Sequence, residues 1–392
     1  MQNIYGDLHI HIGRAKGRPV KITASRELTL HSIIFQDAPY KGLDMVGIVD
    51  AGSVLVASEL EEMLESGQLR EHNRGGFIAS NGILLIAGCE IECREGMHLI
   101  SYLPNLQSIR QWQKYMRSRV HNMTLSTQKA DASIVDIINL TILLDGIFCP
   151  AHVFTPHKGI YGMWARRLTD SLPNDFDHIK TVELGLSSDS DLAGRIEETK
   201  HFTFLSNSDA HSSGNVGREY NQFRMADRSF QELKYCLENR EGRKVTANYG
   251  MDPLMGKYHR SFCPVCETIT GEAPPVLKCS KCGNDKMVMG VYDRIVQISD
   301  YEEPRHIIGR PPYNYRVPLK NIPGVGPKTA ARLLTYAGNE IELIEKTGID
   351  IIAKLAGSDI ARIIETMRNR RLEIVPGGGG KYGKIVKNNS NH

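Results

Sequence analysis

Near the start of the chain, Asp7-Leu8-His9-Ile10-His11 sets two imidazoles two residues apart. Far downstream, Ser208-Asp209-Ala210-His211 pairs a carboxylate with an imidazole in the same way. In an extended chain alternate side chains share a face, so each pair presents both groups together. Asp50, Glu90, His98 and His152 add single ligand-type residues, each adjoining a short apolar run. Imidazoles and carboxylates suit zinc, manganese or iron, and a bridging carboxylate lets two or three ions sit close together. Ions held this way lower the pKa of water and neutralise the oxygens of a phosphate under attack. A lone buried histidine is more often a hydrogen-bonded core residue than a ligand. Two pairs and several single candidates, all at the boundaries of predicted strands, point instead to a multinuclear site. His31, His72, His121, His178 and His201 fall in helical or loop patterns and read as surface residues.

A second constellation is built of thiols. Cys263-Pro-Val-Cys266 and Cys279-Ser-Lys-Cys282 are two Cys-x-x-Cys pairs, whereas Cys89, Cys93, Cys149 and Cys236 are scattered. The start of the chain lacks the basic-then-apolar pattern of a secretory signal, so disulfides are not expected and the paired motifs read as a metal site. Four thiolates close a tetrahedron around one zinc ion with no position left for substrate, which makes that zinc structural. The bland alternative is an unmetallated redox pair.

Short apolar runs predict strands at 7–12, 45–49, 84–89, 99–102, 147–150, 182–184 and 204–206. Amphipathic stretches at 54–64, 109–116, 134–140 and 230–237 predict helices between several of them. Repeated alternation of this kind argues for an α/β domain with a mainly parallel sheet, and the runs are continuously apolar, as a barrel interior requires. The candidate ligands then fall at strand ends on one rim, where functional groups of such barrels collect. Residues 248–260 read as a loop, 287–316 as short strands with a Pro-rich turn, and 319 onward as helical.

The chain has 392 residues, 41% hydrophobic and 24% charged, a globular composition that excludes disordered and collagenous classes. It has no run of about 18 apolar residues, so no membrane span is expected. Net charge is +3, but residues 251–392 hold 21 Lys/Arg against 15 Asp/Glu, a mild hint of a polyanionic partner. The expected division is a catalytic metal-binding barrel at 1–247, a four-cysteine module with flanking strands at 248–316, and a helical unit with a Gly-rich tail at 317–392. A cytoplasmic location is expected.

Within that last unit, 319–334 reads Leu-Lys-Asn-Ile-Pro-Gly-Val-Gly-Pro-Lys-Thr-Ala-Ala-Arg-Leu-Leu and resembles a helix-hairpin-helix. Gly324 and Gly326 allow close approach of backbone to a phosphate, Pro327 suits the first turn of the following helix, and Lys328 and Arg332 add charge. Such contacts position a duplex without reading its sequence. A weaker copy follows at 355–360. The stretch 375–384, with its five glycines, reads equally as a backbone-contacting segment or as a frayed tail.

Residues 1–245 resemble the polymerase-and-histidinol-phosphatase (PHP) domain family through Asp7-x-His9-x-His11, Gly88-x-Glu90, His98, His152 and Asp209-x-His211. The resemblance implies a distorted (β/α)7 barrel with a trinuclear site; Asp7 itself reads as a residue that orients one of the histidines rather than as a direct ligand. Two departures stand out: the family's Asp-His after the second strand is here Asp50-Ala51, and no further histidine lies between Gly13 and Val20. Asp50 is therefore assigned as an auxiliary ligand or proton acceptor beside the catalytic Asp209. The order of parts across nearly the whole chain resembles the endonuclease Q family. That implies a metal-dependent endonuclease acting on double-stranded DNA, which cuts 5′ to a deaminated base (uracil, hypoxanthine, xanthine) or an abasic site and leaves a 3′-hydroxyl and a 5′-phosphate. His9, His11, Glu90, His98, His152, Asp209 and His211 would hold two or three divalent ions (Zn, Mn or Mg). His157, Tyr161, Trp164, Arg166 and Arg167 have the mixture of aromatic and basic groups for the wall of a lesion pocket, although aromatic residues at the helical spacing of Tyr161 and Trp164 are more often core. The rival readings are a small-molecule phosphoesterase and a DNA-binding scaffold without catalysis.

Overall fold

The computed structural model describes residues 1–305 and 307–386. The end of the expected tail, 387–392, lies outside the described residues. One sheet contains β1 (Gln2–Ile10), β2 (Met45–Ile48), β3 (Leu69–Glu71), β4 (Phe77–Ala79), β5 (Leu84–Glu92), β6 (His98–Leu103) and β7 (Ile147–Pro150). A separate parallel pair is β8 (Thr181–Glu183) and β9 (Thr203–Leu205). The sheet resumes with β10 (Tyr220–Met225), β11 (Lys244–Gly250) and β12 (Tyr313–Tyr315).

β1, β2 and β5 run parallel, but β5–β6–β7 and β1–β10–β11 are antiparallel. The mainly parallel sheet read from the sequence is thus corrected. The link between β5 and β6 spans only 93–97, too short for the helical crossover that a parallel neighbour needs. Single bonds carry the circuit round from β7 through β8 and β9. Val153 N–H donates to the Glu183 carbonyl (2.9 Å), Ser206 N–H to Asn221 Oδ1 (2.8 Å), and His11 N–H to the Ala210 carbonyl (3.0 Å). The strand ends carrying the candidate ligands therefore converge on one rim.

Ile4, Leu8, Met45, Leu84, Ile86, Ile100 and Phe223 form a buried cluster with Phe230, Leu233 and Leu237 of the helix Phe230–Leu237. Helices Val54–Glu65, Leu106–Met116 and Ile134–Leu143 cover the sheet and bury Leu60, Trp112 and Ile138. Their starts are set by side-chain caps from Ser53, Asn105 and Ser133, the last in a capping box with Asp136. No helix among the described residues is long and apolar enough to cross a membrane.

After β11 the chain enters a small hairpin, Phe262–Cys263 with Thr268–Ile269, that carries the first cysteine pair. Where short strands were expected, Val291–Ile298 is a helix. Val291, Ile295 and Ile298 recur at helical spacing and are buried. β12 then returns to the edge of the large sheet beside β11.

Helices Pro327–Ala337, Glu340–Glu345, Ile349–Ala356 and Ser358–Arg368 pack around Leu333, Leu343, Ile352 and Ile364. The limb preceding Pro327 is only a 3-10 turn, Leu319–Asn321, not the full first helix that the motif implied, because Pro318 and Pro323 bracket it too closely. This unit is tied to the first by buried ion pairs: Lys41 Nζ to Glu340 Oε2 (2.8 Å) and, through the loop after β12, Arg316 Nη2 to Glu345 Oε2 (2.8 Å). The Gly-rich segment is not frayed. It forms a hairpin, Ile374–Val375 with Lys384–Ile385, whose Gly377, Gly380 and Gly383 N–H groups donate to the carbonyls of Leu254, Lys257 and Met255.

Candidate metal centre

His9 and His11 leave β1 on the same face, with Nε2 atoms 3.3 Å apart. Asp209 Oδ1 lies 3.4 Å from His9 Nε2 and 3.3 Å from His11 Nε2. Glu90 faces them from β5, Oε1 at 3.5 Å from His9 Nε2 and Oε2 at 3.4 Å from His11 Nε2. Ligands about 2.1 Å from a tetrahedral ion lie about 3.4 Å apart, so His9, His11 and Glu90 can hold one ion, with Asp209 beside the two imidazoles. Glu90 Oε1 also lies 3.2 Å from His98 Nδ1 and 3.7 Å from His152 Nε2, which are 3.3 Å from each other. That is a second group able to take an ion, with Glu90 as the bridge. A third group, His11 with Asp209 and His211, shares His11 with the first.

One atom tests whether cations fit here. Glu90 Oε1 is buried at the meeting point of His9, His98 and His152, yet it has no hydrogen-bond partner. A carboxylate oxygen left so is costly unless a cation satisfies it. Burial opposes the charge on Glu90, but His98 and then Lys21 hold its carboxyl well below the usual range. Burial likewise opposes a charged His9, yet Glu183 and Asp209 push it up to about 10. The carboxylates thus demand positive charge at this point.

The ligand rings are locked from behind. Glu183 Oε2 accepts from His9 Nδ1 (2.9 Å), and Asp50 Oδ1 accepts from His11 Nδ1 (2.9 Å). A carboxylate has no proton to give here, so each ring donates from Nδ1 and turns Nε2 toward the position an ion would take. Asp50 Oδ2 also accepts from Ile12 N–H (2.5 Å), so each of its oxygens accepts one hydrogen bond. Asp50, expected as an auxiliary ligand or proton acceptor, stands behind the His11 ring, placed to orient it. Asp7 accepts from Ser208 Oγ–H and N–H, Gly217 N–H and His9 N–H. It fixes the loop that carries Asp209 rather than an imidazole ring.

His152 and Asp209 follow their strands with φ of +31° and +46°, a conformation disfavoured for side-chain-bearing residues. Such outliers cost about 1–3 kcal/mol each and collect where geometry matters to function. Gly185 makes room for one of them, since a Cβ there would stand 2.9 Å from His152 Cβ.

A cavity of about 500 Å³ opens over the centre, lined by His98, His152, Asp209 and His211 on the metal side. Its far wall comes from Arg218, Lys257, Tyr258 and Tyr382. Arg218 Nη1 lies 3.4 Å from Tyr382 Oη, and Lys257 Nζ lies 4.7 Å from the centre of the Tyr382 ring. Of the five residues assigned to a lesion pocket, His157 alone lines it. Tyr161 is fully buried, its hydroxyl on Glu198 Oε1 (2.7 Å). Trp164 packs against the core, Arg167 pairs with Asp300, and Arg166 is exposed outside the cavity. Their spacing fits helical packing, which wins because two aromatic rings bury more area inside than on a wall.

The sequence reading missed Glu183, which ends β8 as Glu90 ends its own ligand motif and could have been found by that signal. It also missed Lys21, whose Nζ lies 3.5 Å from Glu90 Oε2, and Thr127, whose hydroxyl donates to the same oxygen (2.8 Å). Gly324, Gly326, Lys328 and Arg332 are exposed at and after the 322–326 turn. The adjoining Lys320 Nζ reaches Asn215 Oδ1 (3.2 Å), a residue of the cavity lining.

Cys263, Cys266, Cys279 and Cys282 bring four sulfurs within 4.8 Å of one another, with Cys263–Cys282 and Cys266–Cys279 at 3.5 Å. Thiolates about 2.3 Å from a tetrahedral ion lie about 3.8 Å apart, so the set is closed around one position. Burial opposes ionisation of Cys263, but the backbone N–H of Cys266 and the Asn284 side chain bring its thiol down to about 6.

No family model matches the chain. The lesion-specific endonuclease PfuEndoQ from Pyrococcus furiosus superposes with a TM-score of 0.84 at 32% identity, covering 98% of this chain and 95% of that one. An endonuclease Q in complex with a 27-mer duplex substrate bearing an abasic lesion at the active site also gives 0.84 at 32% identity, covering 99% and 97%. The Bacillus subtilis protein YqxK, described as uncharacterized, is 38% identical over 395 residues, 98% of this chain and all of its own.

Proposed function

The chain belongs to the endonuclease Q family, and from that premise we propose that it is a metal-dependent DNA-repair endonuclease. Its substrate is duplex DNA with a damaged nucleotide, and it hydrolyses the phosphodiester 5′ to a deaminated base or an abasic site, leaving a 3′-hydroxyl and a 5′-phosphate. The observation that carries this reading is the Glu90 bridge between two ligand groups on the floor of a cavity within the usual ligand-pocket range of about 300–1,000 Å³.

His9, His11 and Glu90 would hold one divalent ion, and Glu90, His98 and His152 a second, with Asp209 and His211 beside the first. Divalent ions so held activate water at neutral pH and stabilise the charge on the attacked phosphate and the departing 3′-oxygen. The residues around them do the positioning. Glu183 and Asp50 fix the imidazoles, and Arg218 and Lys257 offer positive charge to the backbone of a nucleotide entering the cavity. A damaged nucleotide must leave the stack to reach this floor, at a cost of a few kcal/mol that is least for a damaged pair. We assign the chain's parts accordingly: 1–247 for catalysis, 248–316 around a structural zinc on Cys263, Cys266, Cys279 and Cys282, and 317–392 for the flanking duplex through Gly324, Gly326, Lys328 and Arg332.

The test incubates the protein and Mn²⁺, Mg²⁺ or Zn²⁺ with end-labelled duplex bearing one uracil or one abasic site, beside undamaged duplex and a phosphomonoester. A lesion-dependent nick on the 5′ side is the expected result. Phosphate release from the monoester alone, or tight binding without a nick, would overturn it.

A further inference from the structure

A second cavity, of about 360 Å³, adjoins the metal centre and is basic: Arg18, Lys21 and Arg26 line it with Asn122 and Thr124. The loop 20–25 separates it from the catalytic cavity: Lys21, Ile22 and Ala24 line the basic cavity, and Thr23 lines the catalytic one. Between those two residues stands Ile22, 77% exposed. The neighbouring apolar residues Val20, Ala24 and Leu28 are all buried, so the loop has its hydrophobic anchors and Ile22 is not one of them.

The loop is held rigidly to the metal-ligand strand ends. Lys21 N–H donates to the Ile12 carbonyl (3.0 Å), Val20 N–H to Gly13 (3.1 Å) and Ser25 N–H to His211 (2.8 Å). A Cβ on Gly13 would stand 1.8 Å from the Ser25 carbonyl oxygen, so the close approach needs glycine. Lys21 completes the attachment by reaching Glu90 from the same loop.

We infer that Ile22 is a wedge that enters the base stack at the lesion, and that Arg18 and Arg26 hold the backbone phosphates on its outer side. The inference rests on the endonuclease reading. Apolar side chains that insert between base steps stabilise a distorted duplex by filling the unstacked gap. A nucleotide extruded into the catalytic cavity leaves such a gap, and the loop bordering that cavity presents an apolar side chain with cations behind it. Phosphates neutralised by those cations release counterions, which makes their part readable as salt dependence.

The test compares wild type with Ile22→Ala and Ile22→Phe. One substrate is a duplex with a paired uracil, the other a duplex with the same uracil already unpaired in a bulge. The expected result is a fall of at least tenfold in the paired-to-bulged rate ratio for Ile22→Ala, with Ile22→Phe within threefold of wild type. A 2-aminopurine next to an abasic site, read with Ca²⁺ in place of the active ion, should lose at least half of its protein-induced brightening in Ile22→Ala. Arg18→Ala with Arg26→Ala should lower the slope of log affinity against log salt by about 2. An unchanged ratio and brightening in Ile22→Ala, or equal losses on both substrates, would overturn the wedge. A wild-type protein that nicks neither substrate would instead overturn the endonuclease reading, and the wedge with it.

Discussion

Glu183 and His9 face each other across the ring of strands, Oε2 at 2.9 Å from Nδ1, both fully buried. The same carboxylate accepts from Asn207 Nδ2 (3.0 Å) and, through Oε1, from the N–H of His152 (3.2 Å). One acid therefore sets the tautomer of a ligand ring and steadies the strained residue that carries another. Glu183→Gln puts an amide where only an acceptor serves and weakens the hold on both. Metal affinity should fall about 10–100-fold. Titration against a chelator would measure it, and an affinity within twofold of wild type would remove Glu183 from the site's support.

Glu90→Gln asks what the bridge does. Its two oxygens face different ligand groups, and the neutral amide keeps the shape but loses an acceptor and the charge. Bound divalent ion, counted by elemental analysis, should drop by at least one per chain. Nicking should fall by about 10³ or more, since metal stabilisation of phosphoryl chemistry contributes several kcal/mol. Retention of the full ion complement would show that the two groups hold ions independently.

The rim was legible because its signals are local. His9, His11, Glu90, Asp209 and His211 sit in short motifs at strand ends, where alternation and burial say which way side chains point. β7 and the helix Phe230–Leu237 fall at the predicted residues for the same reason. What escaped depends on distant pairing. β10 and β11 are polar enough to hide among loops until β1 covers them. Tyr382 reaches the cavity only because backbone bonds dock its hairpin on 254–257. No period or spacing in the sequence carries such information. Tyr161 and Trp164 left two readings open, core or pocket wall, because a helical stripe of aromatic residues looks alike in both places.

Tyr382 brings the last described part of the chain to the catalytic cavity, with Arg218 at its hydroxyl and Lys257 against its ring. A ring so placed can stack on an extruded nucleotide, an interaction of about 1–3 kcal/mol. Tyr382→Ala should therefore raise KM for lesion duplex about 5–100-fold while metal content stays at the wild-type level. Tyr382→Phe should keep most of the affinity, because the stacking face survives. Steady-state kinetics on both variants checks this, and an unaltered KM in Tyr382→Ala would confine the ring to a structural role.

Lys328 and Arg332 are exposed on the first turns of the helix Pro327–Ala337. If they hold phosphates of the flanking duplex, Lys328→Ala with Arg332→Ala should weaken binding of damaged and undamaged duplex by the same factor. The slope of log affinity against log salt should fall by about 1 for each lost contact. Fluorescence anisotropy at several salt concentrations gives both numbers. A loss confined to damaged duplex would place these residues at the lesion instead.

His259 offers a handle on folding rather than catalysis. It is 6% exposed, stacked on Tyr292 with ring centres 5.5 Å apart, and its Nδ1 has no hydrogen-bond partner. Burial, aided by the charge of Arg260 and opposed by Asp293, holds its imidazole down to about 4. The folded state thus prefers the neutral ring, whereas the unfolded chain takes up a proton near the usual pKa of about 6.5. The resulting stability is fully present above about pH 6.5 and is lost as pH falls through about 4, at up to about 1.4 kcal/mol per pH unit. His259→Phe keeps the stacking and removes the proton. Urea unfolding of the zinc-loaded protein should find the two within about 1 kcal/mol at pH 7.5. At pH 4.5 the wild type should have lost about 2 kcal/mol more than the variant, because acid release of metal affects both alike and cancels in the difference. Parallel losses in the two proteins across that range would mean that His259 takes up its proton in the folded state as readily as in the unfolded chain.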